Sequence, residues 1–254
     1  MDIGIIQYVI VCPLIFVASM IDAIAGGGGL VSLTGYLIAG LPPHSAIATN
    51  KFTAIFGSTT STIRYAKDGF IPWKKALFCI IFALVGSICG AELALIINEK
   101  VFKVAMLFVL PVTAFYVFRS KALICEKEEL PLVKTVIISC AIALLIGVYD
   151  GVYGPGAGTF LILLLTAVAH MSLDNAQGTA KLINLGTNAA ALAVFIINGK
   201  VVYSLGIAAA AFSVAGSFVG TKCYERGGSK IVKPVMIAVL AIFFIKVIVE
   251  LLLN

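Results

Sequence analysis

Two stretches decide the fold: DAIAGGGG at residues 22–29 and DGVYGPGAG at residues 150–158. Each follows an apolar run long enough to be a helix. Four consecutive glycines, or Gly-Pro-Gly-Ala-Gly, cannot continue one, because glycine costs about 1 kcal/mol and proline about 3 kcal/mol in a helix interior. Behind each break comes a short apolar piece, residues 30–39 and 159–169. A small-residue segment follows, carrying one lysine in apolar surroundings: Thr49-Asn50-Lys51 in the first copy and Thr179-Ala180-Lys181 in the second.

Composition fixes the environment of these breaks. The 254 residues are 61% apolar and 12% charged, against about 25% charged in soluble domains. Runs such as 76–97, 101–118 and 235–245 are nearly free of charge. A hydrocarbon layer roughly 30 Å thick takes about 20 apolar residues as a helix. Only helices and closed barrels satisfy their backbones there, and no strand-like alternation is present. The sequence therefore predicts an all-α polytopic membrane protein, with no segment left over for a soluble domain. The net charge of +6 comes from basic residues at the ends of apolar segments, where topology requires them, so nucleic acid is not an expected partner. Cys12, Cys79, Cys89, Cys125, Cys140 and Cys223 show no metal-ligand spacing and behave as small hydrophobes. No metal or other cofactor is expected. Apolar from Ile3 and without a basic leader, the N-terminus reads as a retained first helix.

The chain repeats itself. At a shift of 130 residues, Ala46, Thr49, Lys51 and Gly69 meet Ala176, Thr179, Lys181 and Gly199. Gly86, Ser87 and Gly90 meet Gly216, Ser217 and Gly220, and Lys100 and Lys103 meet Lys230 and Lys233. Asp22 and Asp150 match at a shift of 128, so the length difference lies in the broken region. We divide the chain into a first repeat (1–118), a linking loop (119–131) and a second repeat (132–254). Predicted segments are 3–25, 30–39, 45–66, 74–97 and 100–118, then 132–149, 159–169, 176–197, 201–223 and 230–253.

Loop charge orients the copies. The first-half loop holds Arg64, Lys67, Lys74 and Lys75 against Asp68, while its counterpart holds only Lys200. At the next loop the bias reverses: Glu99, Lys100 and Lys103 in the first half face Lys222, Arg226, Lys230 and Lys233 against Glu225 in the second. Positive loops stay cytoplasmic, so inverted repeats are expected. Each half then needs an odd number of crossings. The short pieces either cross or pair with the preceding helix as re-entrant hairpins, giving eight to ten membrane segments.

Duplicated breaks at membrane depth point to a transport site between the repeats, and an ionisable residue inside such a segment points to function. Gly27, Gly28, Gly29, Gly156 and Gly158 free backbone N–H groups, and the short helices aim positive dipole ends at the break. That arrangement suits an anion. Lys51 and Lys181 add charge, while Thr49, Asn50, Thr179, Asn184 and Asn188 add hydrogen bonds. Lys181, Asn184 and Asn188 share one helix face. The competing reading of each lysine is snorkelling to an interface. For Gly86, Gly90, Gly216 and Gly220 it is close helix packing. Asp22 and Asp150 sit in the last turn before each break, unfavourably for the helix dipole. Each therefore needs a partner, from a lysine of its own repeat or the freed N–H groups, and serves either as a coupling carboxylate or as a structural charge. Ser58 to Thr62 either bond back to helix carbonyls or line a polar path. No nucleotide-binding, hydrolase or metal motif is present, so an enzyme has no support.

DAIAGGGGLVSL, GLPPHSAIATNKF, RYAKDGFIPWKKA, GVYDGVYGPGAGTFL and TAKLINLGTNAAAL resemble the TauE/SafE family of sulfite and organosulfonate exporters. The resemblance runs over nearly the whole chain. It implies a multi-pass secondary transporter of the prokaryotic inner membrane, exporting small sulfur-containing anions with proton or ion coupling. The expected function is alternating access around a midplane anion site. The other readings are an anion channel filtering at the same site and a non-transporting membrane assembly protein. The oligomeric state is left open, a homo-oligomer included.

Overall fold

In the computed structural model, residues 4–96, 128, 130–228, 230–238 and 241 are described; they are helical wherever they are regular, with no strand. The helices are α1 (Ile5–Ala25), α2 (Gly29–Ile38), α3 (Pro43–Lys67), α4 (Trp73–Ile96), α5 (Leu132–Val152), α6 (Ala157–Ala167), α7 (Leu173–Ile197) and α8 (Tyr203–Gly227). Residues 230–238 are helical as well. The expected segment 100–118, most of the linking loop and most of 230–253 lie outside the described residues, as do Cys125, Glu99, Lys100 and Lys103. Among the described residues, five helices, α1, α4, α5, α7 and α8, are long and apolar enough to span a membrane. The chain is a multi-pass helical membrane protein.

Local chemistry sets the helix ends. Pro43 opens α3, a position where its missing N–H is no loss. Ser172 caps α7 by accepting from the Asn175 amide at 3.3 Å. That cap starts α7 one turn before the expected position 176. α1 stops where Gly26 turns left-handed at φ 74°.

Contact register gives each helix its direction. Gly216 and Gly220 of α8 press on Phe16 and Met20 of α1, so the two run parallel. Along α3 and α8 the contacts advance together, from Phe52 on Gly206 through Gly57 on Ser213 to the Arg64–Glu225 ion pair. Gly147 and Gly151 of α5 press on Ala83 and Ser87 of α4, again parallel. Gly186 of α7 meets Ile80 and Leu84 of α4, and the Thr187 carbonyl accepts from Ser87 at 2.7 Å. In contrast, Ala48 near the start of α3 shares a core with Val194 and Phe195 near the end of α7, and Ala66 packs by Leu182. Thus α1, α3 and α8 run one way, and α4, α5 and α7 the other. The four glycines paired in the sequence all seat one helix against a neighbour's backbone, as close packing requires.

Each short helix turns back on its predecessor. Gly28 lies against Ala18 and Asp22, and Gly35 against Leu14, so α2 runs antiparallel to α1. Phe160 of α6 meets Tyr149 of α5 edge-on, with ring centroids 5.5 Å apart. For α2 the packing is that of a hairpin with α1.

Large apolar side chains cover the outside, among them Phe78, Ile81 and Val85 of α4, Leu145 of α5 and Ile207 of α8. Alanine, glycine and serine fill the contacts between helices. This is the pattern of a bundle solvated by lipid, where close backbone approach replaces hydrophobic exclusion. Given the helix directions, Arg64, Lys67, Lys74, Lys75, Lys134, Lys222 and Arg226 all lie at one end of the bundle. Among the described residues, Lys200 is the basic residue at the other end.

Candidate functional site

Breaking α1 at Gly26 leaves its last carbonyls without intrahelical donors, in a place where water cannot supply them. Each finds a specific partner. The Asp22 carbonyl accepts from the Gly26 amide at 2.8 Å and from Lys181 Nζ. The Ala23 carbonyl takes Tyr65 Oη at 2.7 Å, and Ile24 takes Gln177 Nε2. Thr159 closes the set, its hydroxyl donating to Ala25 at 2.8 Å and its amide to Gly26 at 3.2 Å. The two breaks therefore touch. A Cβ on Gly158 would sit 2.6 Å from the Gly26 oxygen, so only glycine fits.

The charges pair across the halves. Lys51 Nζ reaches Asp150 Oδ1 at 2.6 Å, and Lys181 Nζ reaches Asp22 Oδ2 at 2.7 Å. This corrects the expectation that each aspartate would bind a lysine of its own repeat or the freed amides. α1 lies against α8 and the break of α6, and α5 against α4, so each break is built into the opposite half. The reach of the facing lysine follows from that packing. Neither lysine snorkels, with Lys51 2% exposed and Lys181 fully buried. Asp150 is held further by Thr187 Oγ1 on its second oxygen. Gly154, at φ 94°, lets the chain pass this pair, since a Cβ there would lie 2.6 Å from Asp150 Oδ1 and 2.8 Å from Lys51 Nζ. Along α7, Lys181 and Thr187 are six residues apart, which sets the two ion pairs about 9 Å apart in depth.

Between them lies a cavity of about 60 Å³, room for on the order of five waters or one small oxyanion. Its walls come from residues 50–58 of α3, 184–188 of α7 and 213–217 of α8, close to the middle of three 25-residue helices. Asp22, Lys51 and Asp150 line it, together with Asn50, Asn184, Asn188, Gly28, Gly29 and Gly158. All three asparagines are at least nine-tenths buried, and Asn184 Oδ1 has no partner among the described residues. The amides of Gly28, Gly29 and Gly158 likewise donate to nothing among the described residues. Unmade hydrogen bonds on buried groups cost about 1–3 kcal/mol each. These groups converge on one cavity.

Other expected site residues stand back from this wall. Lys181 lies behind Asp22. Thr49 accepts from the Val202 amide at 3.0 Å, the Thr179 hydroxyl is buried without a partner among the described residues, and Gly27 and Gly156 are not on the lining. Sequence reading missed Ser19, Ser32, Thr53, Ser213 and Ser217, which line the cavity. Ser213 and Ser217 sit four apart on one face of α8, a usable signal that merges with the small-residue packing pattern. Ser58 satisfies both expectations, donating to Ala54 at 2.8 Å while facing the cavity.

Comparison with known proteins points the same way. The family model described as "Sulfite exporter TauE/SafE" matches residues 11–247. The chain is 34% identical to "Probable membrane transporter protein ORF9" of Sinorhizobium sp. over 88% of its length and 85% of the relative's. It is 29% identical to a "Probable membrane transporter protein" of Haemophilus influenzae, over 93% and 92% of the two chains. With "Probable membrane transporter protein YfcA" of Escherichia coli it shares 29% identity, over 90% and 85%. No solved structure matches the chain.

Proposed function

The chain belongs to the sulfite exporter TauE/SafE family, and on that premise we propose that it is a secondary transporter of small anions of the sulfite or sulfonate type. The observation that carries this reading is the mid-depth cavity where buried Lys51, three asparagine side chains and three glycine amides converge without enough partners of their own. An oxyanion supplies acceptors for the Lys51 ammonium, the glycine amides and the asparagine Nδ2 groups, to which N–H groups at a helix start are well suited; Asn184 Oδ1, itself an acceptor, takes a donor such as water. In this reading Lys51 and the Asn50, Asn184 and Asn188 side chains contact the anion. Lys181 acts one step back, holding Asp22 and the end of α1.

Alternating access between inverted repeats is the mechanism we infer. Its support is the set of helix directions: α1, α3 and α8 oppose α5, α7 and α4, their partners in the sequence repeat. The basic end of the bundle faces the cytoplasm on the positive-inside rule, in a prokaryotic inner membrane. A membrane potential negative inside then favours exit of net negative charge by about 2.3 kcal/mol per charge per 100 mV, which supports export as the direction for any translocated species that stays anionic.

The test is thermal-shift and equilibrium binding of purified protein against sulfite, sulfate, thiosulfate, sulfonates and carboxylates. Sulfur oxyanions are expected to stabilise the protein in proportion to ligand occupancy, and Lys51→Met is expected to remove the effect. Stabilisation by none of them, or stabilisation unchanged in Lys51→Met, would overturn the site. Flux at channel rates without saturation would replace the carrier mechanism by a pore.

A further inference from the structure

The two ion pairs leave the cavity without net charge, yet the two carboxylates differ. Asp150 is 7% exposed, and both its oxygens are engaged, one by Lys51 and one by Thr187. The Asp22 side chain is 29% exposed and faces the cavity. Its Oδ2 takes Lys181, while its Oδ1 has no partner among the described residues. The chain encodes this difference. The residue 130 positions before Thr187 is Gly57, which brings no hydroxyl to Asp22. Lys181 Nζ also donates to the backbone carbonyl of Asp22, so the ammonium keeps a hydrogen-bond partner even when the carboxylate is neutral.

We propose that Asp22 is a proton-binding site, that one proton and one anion occupy the cavity together, and that Asp150 remains the fixed counter-ion of Lys51. The proposal rests on the anion-transport reading above. With Asp22 ionised, an entering anion meets two carboxylates and no surplus positive charge, in surroundings where charge is poorly screened. When hydronium in the cavity gives its proton to the Asp22 carboxylate, the products are a carboxylic acid and water. The charge of Lys181 is then uncancelled, and the site carries a single positive charge for the anion to neutralise. By linkage, each ligand raises the affinity for the other by the same factor.

The groups facing Asp22 are consistent with this role. α7 brings Lys181 itself. α3 brings Lys51 across the cavity and Tyr65, whose hydroxyl is committed to the Ala23 carbonyl. α5 brings Asp150, already paired. Tyr224 of α8, bonded to Asp174, stands behind Tyr65, and Tyr36 of α2, bonded to Thr53, packs with Val11 and Ile15 away from Asp22. α6 contributes no titratable side chain.

The test counts protons taken up per anion bound by purified full-length protein, by calorimetry in buffers of different ionisation enthalpy. The probes are sulfate, thiosulfate and methanesulfonate, whose charge is fixed near neutral pH. Wild type is expected to take up about one proton per anion, and its affinity to fall about tenfold per pH unit where that uptake is complete. Asp22→Asn is expected to bind with no proton uptake and no pH dependence. Anion-induced infrared difference spectra are expected to show a carboxylic-acid C=O band that Asp22→Asn lacks and Asp150→Asn retains. Binding without proton uptake in wild type, or uptake that survives in Asp22→Asn, would overturn the proposal and leave the transport reading intact. If none of these anions binds, both fail together.

Discussion

Replacing Lys51 by methionine keeps the side-chain stem and removes the charge from the Asp150 pair. The pair is 2.6 Å long with both members under a tenth exposed. At an effective dielectric near 20, its gross attraction is about 6 kcal/mol. Desolvation offsets much of that, so the pair as a whole adds little stability, whereas one orphaned partner costs about 3–5 kcal/mol. Lys51→Met strands a buried carboxylate, and Asp150→Asn strands a buried ammonium. The double variant Lys51→Met/Asp150→Asn strands neither, because asparagine still accepts from Thr187. Each single variant should therefore lower the melting temperature of the purified protein by roughly 6–20 °C, taking about 2–4 °C per kcal/mol at this chain length. The double variant should melt closer to wild type than either single. A double variant that loses the sum of the two single losses would refute a paired, buried interaction.

Four further outcomes follow from the same geometry. Gly154→Ala should be destabilised by at least about 1–2 kcal/mol from its left-handed backbone alone, and more from the Cβ crowding Lys51, as read by thermal unfolding. Asn184→Ala should lose anion binding, through loss of its Nδ2 donor, while keeping its melting temperature within a few degrees, because Asn184 Oδ1 bonds to nothing among the described residues; isothermal titration paired with thermal unfolding separates the two effects. Tyr65→Phe should cost about 1 kcal/mol by leaving the Ala23 carbonyl without its donor, measured as a loss of melting temperature. In a cysteine-free background, Lys67→Cys should react with an impermeant maleimide only from the cytoplasmic side and Lys200→Cys only from the outside, as the basic end of the bundle requires.

Much of this arrangement could be read from the chain. The glycine breaks ended α1 at Ala25, as the sequence predicts, because no side-chain context rescues four glycines in a helix. α6 starts at Ala157, two residues ahead of expectation. Each lysine lies in a segment of small, uncharged neighbours, which left burial and snorkelling both open from sequence. Their partners were not legible, since Asp22 and Lys181 are 159 residues apart. Which aspartate meets which lysine depends on how the halves interlock, and local sequence contains no trace of that. For the same reason Ser213 and Ser217 escaped notice: a serine beside a glycine on a membrane helix reads as packing until the facing helix is known. Helix direction was legible only through loop charge.

Counterflow of radiolabelled sulfite into proteoliposomes loaded with unlabelled sulfite tests the anion site most directly. The wild-type chain is expected to show saturable exchange that disappears in both Lys51→Met and Asn184→Ala while each variant stays folded. Absence of exchange in wild type, or full exchange in both variants, would contradict that site assignment.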